Sequence, residues 1–313
     1  MRIGKKEILG FVLAAVISAQ PSRAQENRKQ GLEYQISVSS ISIAVTVQDK
    51  GGKYINDLAA EDFTIYENNV KQKLTYFKHD FAAPLSLTVL LDVSGSMALQ
   101  DKLKESKEAL HYLLTSLLSS RDEVSLLIFA DGEVEVASGF SRDKVDFLEV
   151  LDRTEAYGQT ALNDAVAVSP EFAKKGGNEK RALLLITDGI ENDSRSTPDQ
   201  AADIARRVDV PIYTIGYKIP LSDQFLRKYK RSDSLTSSGI ALSLERFSRA
   251  TGGKAFIVNA ADELGEVLAE IHKELSHQYI LGYTSYRTAK EEYRKIRVVT
   301  PNKKHQVRTR QGY

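Results

Sequence analysis

Residues 85–97 read LSLTVLLDVSGSM. The run from Leu85 to Leu91 is almost continuously apolar, the pattern of a strand covered on both faces, as in a parallel sheet. It ends in Asp92, Ser94 and Ser96, with Gly95 between the two serines. Three small oxygen side chains in five residues are either a simple turn or half of a site for a hard cation. The rest of the chain has to decide.

Working outward, strand and helix patterns alternate. Lys102 to Leu118 carries Leu103, Leu110, Leu113, Leu114 and Leu117 on one helical stripe. EVSLLIFA at 123–130 reads as the next strand, with EVEVAS at 133–138 as a short edge strand. Residues 142–153 and 161–173 have helix patterns, and RALLLITDG at 181–189 is again a doubly buried strand. Thr197 and Pro198 open a helix through Val208, since Thr caps well and Pro is tolerated at the first helical position. VPIYTIGY at 210–217 is a strand, 218–240 a long polar loop, and 242–250 a helix stopped by Gly252 and Gly253. A strand at 254–260 and a helix at 262–277 complete the series. This alternation predicts an α/β fold over 83–280, with a doubly wound, mostly parallel, Rossmann-like sheet.

The flanks have another texture. Ile41, Ile43, Val45 and Val47 alternate strictly, which gives a strand with one buried face. DKGGKYI at 49–55 reads as a hairpin turn with Gly51 and Gly52 at positive φ, and 62–80 as two short strands around Glu67–Asn69. The tail 281–313 also reads as β. Its basic residues between Ile296, Val298 and Val307 fit the wet face of a half-buried sheet better than a nucleic-acid stripe. Segments 34–80 and 281–313 are each too short for a good core, so they are expected to pack together as a small all-β domain.

The first 24 residues stand apart. Arg2, Lys5 and Lys6 precede the apolar run Ile8–Ala19, and Ser22 and Ala24 sit where a signal peptidase would read. A cleaved secretory signal over 1–24 is the expectation, with a secreted or periplasmic location and no membrane span in the mature chain. Beyond residue 24, 39 basic residues stand against 41 acidic ones, which gives no global pull toward nucleic acid. The sequence has no Cys, so it has no disulfide, thiolate metal site or Cys nucleophile.

An open parallel sheet binds ligands beyond the carboxyl ends of its strands, near the topological switch point. Three stretches place oxygen donors there: Asp92, Ser94 and Ser96 after the first strand, Thr160 in YGQTALNDA before a helix, and Asp188 at the end of LLLITDG. Two carboxylates and three hydroxyls suit Mg²⁺, with Mn²⁺ or Ca²⁺ as alternatives. No His or Cys joins the set, which argues against Zn²⁺. On residue types alone, Asp92 and Asp188 could also be helix caps, and the serines turn residues.

Together and in this order, LLDVSGSM, GQTALNDA and LLLITDG resemble the three parts of the metal-ion-dependent adhesion site of von Willebrand factor type A domains. The resemblance covers 83–280. It implies that Ser94, Ser96 and Thr160 bind the ion directly and that Asp92 and Asp188 act chiefly through water or hydrogen bonds. It also implies an open coordination position for a partner protein's Asp or Glu. Gly158-Gln159-Thr160 stands where the family usually has Gly-Gly-Thr, a departure that keeps the ligand. The flanks VQDKGGKYINDLAAEDFTIYENNVKQKLTYF and QYILGYTS…YRKIRVVT…VRTRQGY resemble secreted bacterial von Willebrand factor A-related proteins.

Enzyme readings have less support. Ser94 is not in a G-x-S-x-G elbow, Gly252-Gly253-Lys254 lacks the rest of a phosphate loop, and no G-x-G-x-x-G follows the first strand. The expected function is therefore a non-catalytic, Mg²⁺-dependent interaction or adhesion module. The alternatives are an assembly or metal-insertion helper working with a separate ATPase, and a purely structural envelope component.

Overall fold

The computed structural model describes residues 37–79, 81–219, 237–287 and 293–313. The expected signal at 1–24 and most of the expected loop at 218–240 lie outside the described residues.

The doubly buried strands form one six-stranded sheet. In chain order its strands are β5 (Leu85–Asp92), β6 (Glu123–Ala130), β7 (Glu133–Ser141), β8 (Lys180–Thr187), β9 (Ile212–Tyr217) and β10 (Ala255–Val258). They lie side by side as β10-β9-β8-β5-β6-β7. All neighbours are parallel except β7, which runs antiparallel to β6 along one edge. All eight residues of β5 are buried, including the polar Ser86, Thr88 and Asp92.

Helices cover both faces. Leu87, Val89 and Leu91 of β5 pack on one side against α1 (Lys102–Tyr112), α2 (Val145–Arg153) and α6 (Ala261–Ser276). Leu90 faces the opposite core, built from α3 (Leu162–Ala173), α4 (Pro198–Ala205) and α5 (Ser237–Thr251). The fold is the expected doubly wound, mostly parallel α/β sheet. Its sequence steps from β5 to β6 on one side and later to β8 on the other. The switch point is therefore at the carboxyl ends of β5 and β8.

Several local expectations need correction. The helix expected over 102–118 is α-helical only to Tyr112 and ends in a π-helical turn, Leu113–Leu117. The strand expected at 133–138 runs on to Ser141. The helix expected from 242 begins at Ser237. Residues 62–80 hold three strands, β2 (Thr64–Glu67), β3 (Val70–Gln72) and β4 (Leu74–Lys78). Asn68 and Asn69 both take positive φ and close the β2–β3 turn in only two residues. At 49–53 Gly52 alone has positive φ, because the Asp49 carboxylate caps the turn from Gly51 and Lys53 N–H.

In the flanks, β1 (Ser37–Gln48) pairs antiparallel with β11 (Tyr279–Arg287) and β13 (Gln306–Arg308), and β4 pairs with β11. A second sheet has the order β12-β2-β3, where β12 is Ile296–Val299. Ile43, Val45, Ile65, Leu281 and Val298 form a shared core between the two sheets. Glu67 is buried there and accepts hydrogen bonds from the Tyr283 and Tyr313 hydroxyls, both at 2.8 Å, and an ion pair from Arg294. Buried Glu274 on α6 pairs with Arg308 of β13 and accepts from the Tyr213 hydroxyl of β9 at 2.5 Å. It thus joins the α/β layer to the flank.

Candidate metal centre

The five residues expected to hold an ion lie at the end of β5 and in the three loops at the switch point. The first loop follows β5. Asp92 turns its Oδ1 back to accept from Ser94 N–H at 2.9 Å, which bends the chain directly after the strand. Ser94 Oγ and Ser96 Oγ then come within 3.2 Å of each other. Gly95 sits at a close approach of two loops rather than at positive φ. Its N–H donates to Gly158 O at 3.0 Å, and a Cβ would meet that oxygen at 3.3 Å. Gln100 and Asp101 then take left-handed φ of 57° and 58°, a strained pair. Lys218 Nζ donates to Gln100 O at 3.0 Å.

That Gly95–Gly158 contact brings in the second loop. Tyr157 N–H also donates to Val93 O at 2.7 Å. Gly158 has φ 68°, and Asp131 Oδ1 accepts from Gln159 N–H at 2.6 Å. Thr160 is buried, and its N–H donates to Asn192 Oδ1 at 2.8 Å. Its carbonyl accepts from the N–H groups of Asn192 and Asp193. The second loop is thereby bonded to both the first and the third.

The third loop leaves β8. Thr187 Oγ1 donates to Asp92 Oδ2 at 2.5 Å and accepts from Gly189 N–H at 2.9 Å. Asp188 Oδ1 accepts from Ile190 N–H at 3.1 Å, and Lys102 Nζ donates to its Oδ2 at 2.6 Å. All five expected residues are buried, and Asp92 and Asp188 have no accessible surface. Neither carboxylate caps a helix: the position before α1 is Asp101, and Ala161 precedes α3.

The electrostatics follow from this burial. Loss of water pushes the Asp92 carboxyl up to about 7, and the neighbouring Asp188 charge adds to the effect. The hydrogen bonds from Thr187 and Ser94 oppose the rise. Two carboxylates with one ammonium leave the pocket one negative charge in excess when all are ionised, and buried charge without a counter-ion is costly. A hard cation beside Ser94, Ser96 and Thr160 suits that balance. Both Asp92 oxygens already accept protein donors, which favours its indirect role. Among the described residues no three His, Cys, Asp or Glu side chains gather into a cage. The expected set is two carboxylates and three hydroxyls, all oxygen donors of the kind a hard cation takes.

Sequence reading missed four contributors: Thr187, Asn192, Asp131 and Lys102. Thr187 precedes Asp188 and reads as one more strand residue. The Asn192 and Asp131 side chains accept from backbone N–H groups that only the fold brings close. Lys102 left one signal. It is a cation in the first turn of a helix, where the dipole favours acids.

Residues 87–191 match the family model described as von Willebrand factor type A domain, which supports such a domain over this part of the chain. An uncharacterized protein of Borreliella burgdorferi is 24% identical over 230 residues, covering 71% of this chain and 63% of that protein. A UPF0353 protein of Mycolicibacterium gilvum is 23% identical over 227 residues, or 66% of each chain. The chain thus spans 63% and 66% of these curated relatives' own lengths. Among solved structures, the pilus adhesin SpaC from Lactobacillus rhamnosus GG, in its open conformation, aligns with a TM-score of 0.50 at 11% identity. The alignment covers 84% of this chain and 49% of that one, and it is a likeness of fold.

Proposed function

We propose that this chain is a non-catalytic, Mg²⁺-dependent protein-binding module whose partner presents an Asp or Glu. The observation that carries the reading is the hydrogen-bonded convergence of three loops. Gly95 N–H to Gly158 O at 3.0 Å and Thr187 Oγ1 to Asp92 Oδ2 at 2.5 Å bring the expected donors to one sheet edge.

In this reading Ser94, Ser96 and Thr160 hold the ion, and Asp92 and Asp188 balance its charge from behind. When bound, the ion supplies an electrophilic point that a partner's carboxylate can complete. Such a contact is charge-assisted and directional but small, so selectivity has to come from the surrounding loops. Leu99 and Tyr157, in the first and second loops, are exposed and offer apolar surface there. The match of 87–191 to the type A domain supports the module, and the fold likeness to a pilus adhesin is compatible with adhesion. Among the described residues no helix is long and apolar enough to cross a membrane. An exported location agrees with the expected signal.

The test is capture of carboxylate-bearing peptides by the immobilised full chain in Mg²⁺ and in EDTA. Asp-containing peptides should be retained in Mg²⁺ only, and Asp→Asn versions not at all. Equal retention in EDTA overturns the reading.

A further inference from the structure

Lys102 is 2% exposed, and its ammonium lies 2.6 Å from Asp188 Oδ2, an atom of a residue with no accessible surface. A fully buried lysine is uncommon, and at the start of a helix it also opposes the dipole. Its place is nevertheless fixed from several sides. Its N–H donates to Leu99 O and Met97 O, joining the 3₁₀ turn after Ser96 to α1. Its carbonyl accepts from Ser106 Oγ at 2.7 Å. Among the described residues, its ammonium is paired with Asp188. A residue that breaks two local preferences and is held this firmly points to a site-level role.

We propose that Lys102 is a positioning residue for the metal centre, a tethered cation that weakens ion binding while keeping the ion-free site folded. The proposal rests on the reading of this site as a cation centre. Its ammonium neutralises one of the two buried carboxylates when no ion is present. It also holds Asp188 Oδ2 against direct coordination. When an ion is present, the same buried positive charge repels it and leaves less negative charge to quench it. The ion is then held less tightly by this chain and has more need of an external carboxylate. Partner binding and ion binding become coupled through one fixed charge.

The test is Mn²⁺ titration of the full chain, read by the loss of the free-ion electron paramagnetic resonance signal, with circular dichroism as the check on folding. Lys102→Met should bind Mn²⁺ about tenfold or more tightly than wild type, since a unit charge is removed beside a divalent ion at low effective dielectric. Lys102→Arg should bind like wild type. The ion-free Lys102→Met protein should melt lower than wild type and gain more on adding Mn²⁺. An Mn²⁺ affinity of folded Lys102→Met equal to or weaker than wild type overturns the proposal. If Lys102→Met unfolds without the ion, saturating Mn²⁺ should restore it, and failure to do so overturns the proposal as well. Absence of binding in wild type and both variants sinks the cation-centre reading itself, a separate outcome.

Discussion

Thr187 Oγ1 donates to Asp92 Oδ2 at 2.5 Å, across the junction where β8 and β5 end side by side. The bond spans the topological switch point and satisfies one oxygen of a carboxylate with no accessible surface. The same hydroxyl accepts from Gly189 N–H, so it also starts the loop that carries Asp188.

Thr187→Val keeps the shape of the side chain and removes both bonds. It should lower stability by about 1–3 kcal/mol, the cost of leaving a buried acceptor without its donor. Ion binding should weaken too, because the Asp92 carboxyl would then be harder to ionise. Urea unfolding and Mn²⁺ titration measure the two effects. An unchanged midpoint and an unchanged affinity would contradict the role given to this bond.

Gly158→Ala tests the second loop. Gly158 has φ 68°, and a Cβ would run into the Asp131 carboxyl that accepts from Gln159 N–H. The substitution should cost about 1–3 kcal/mol through backbone strain and should displace Thr160. Thermal melting and ion titration should both report it. A variant that melts and binds as wild type does would show that this loop is not held as described.

Much of this was legible in advance for physical reasons. Near-continuous apolar strands at Leu85–Leu91 and Ala182–Ile186 can only be covered on both faces, so the doubly wound sheet followed. The placing of Asp92 and Asp188 at neighbouring strand ends was legible because the switch point is set by topology. Lys102 was not, because its meaning depends on a partner 86 positions away. The division of 70–78 into β3 and β4 was hidden for a similar reason: Val70 and Tyr76 are exposed, so their apolar character said little about pairing. The closeness of Gly95 to Gly158 O, where a Cβ would stand 3.3 Å away, could not be read from sequence because it joins two loops 63 positions apart.

The flank offers a pH prediction. Burial disfavours the charged Glu67 carboxylate, but bonds from Arg294, Tyr313, Tyr283 and Ser285 outweigh it and hold the group below its ordinary value of 4.5. A carboxyl depressed by folding contributes stability above its unfolded pKa and loses it as pH falls through the folded value. Unfolding free energy should therefore drop as pH falls below 4.5, the ordinary value, and Glu67→Gln should flatten that drop. Parallel pH profiles for the two proteins would show that Glu67 does not anchor the flank.

The most direct test is the stoichiometry of divalent-ion binding to the full chain by isothermal titration calorimetry, in wild type, Ser96→Ala and Thr160→Ala. The proposed metal centre implies one Mg²⁺ or Mn²⁺ site in wild type. Binding should be lost in both variants, whose circular dichroism should remain that of the folded protein. No binding to wild type, or undiminished binding to both folded variants, would contradict the metal centre.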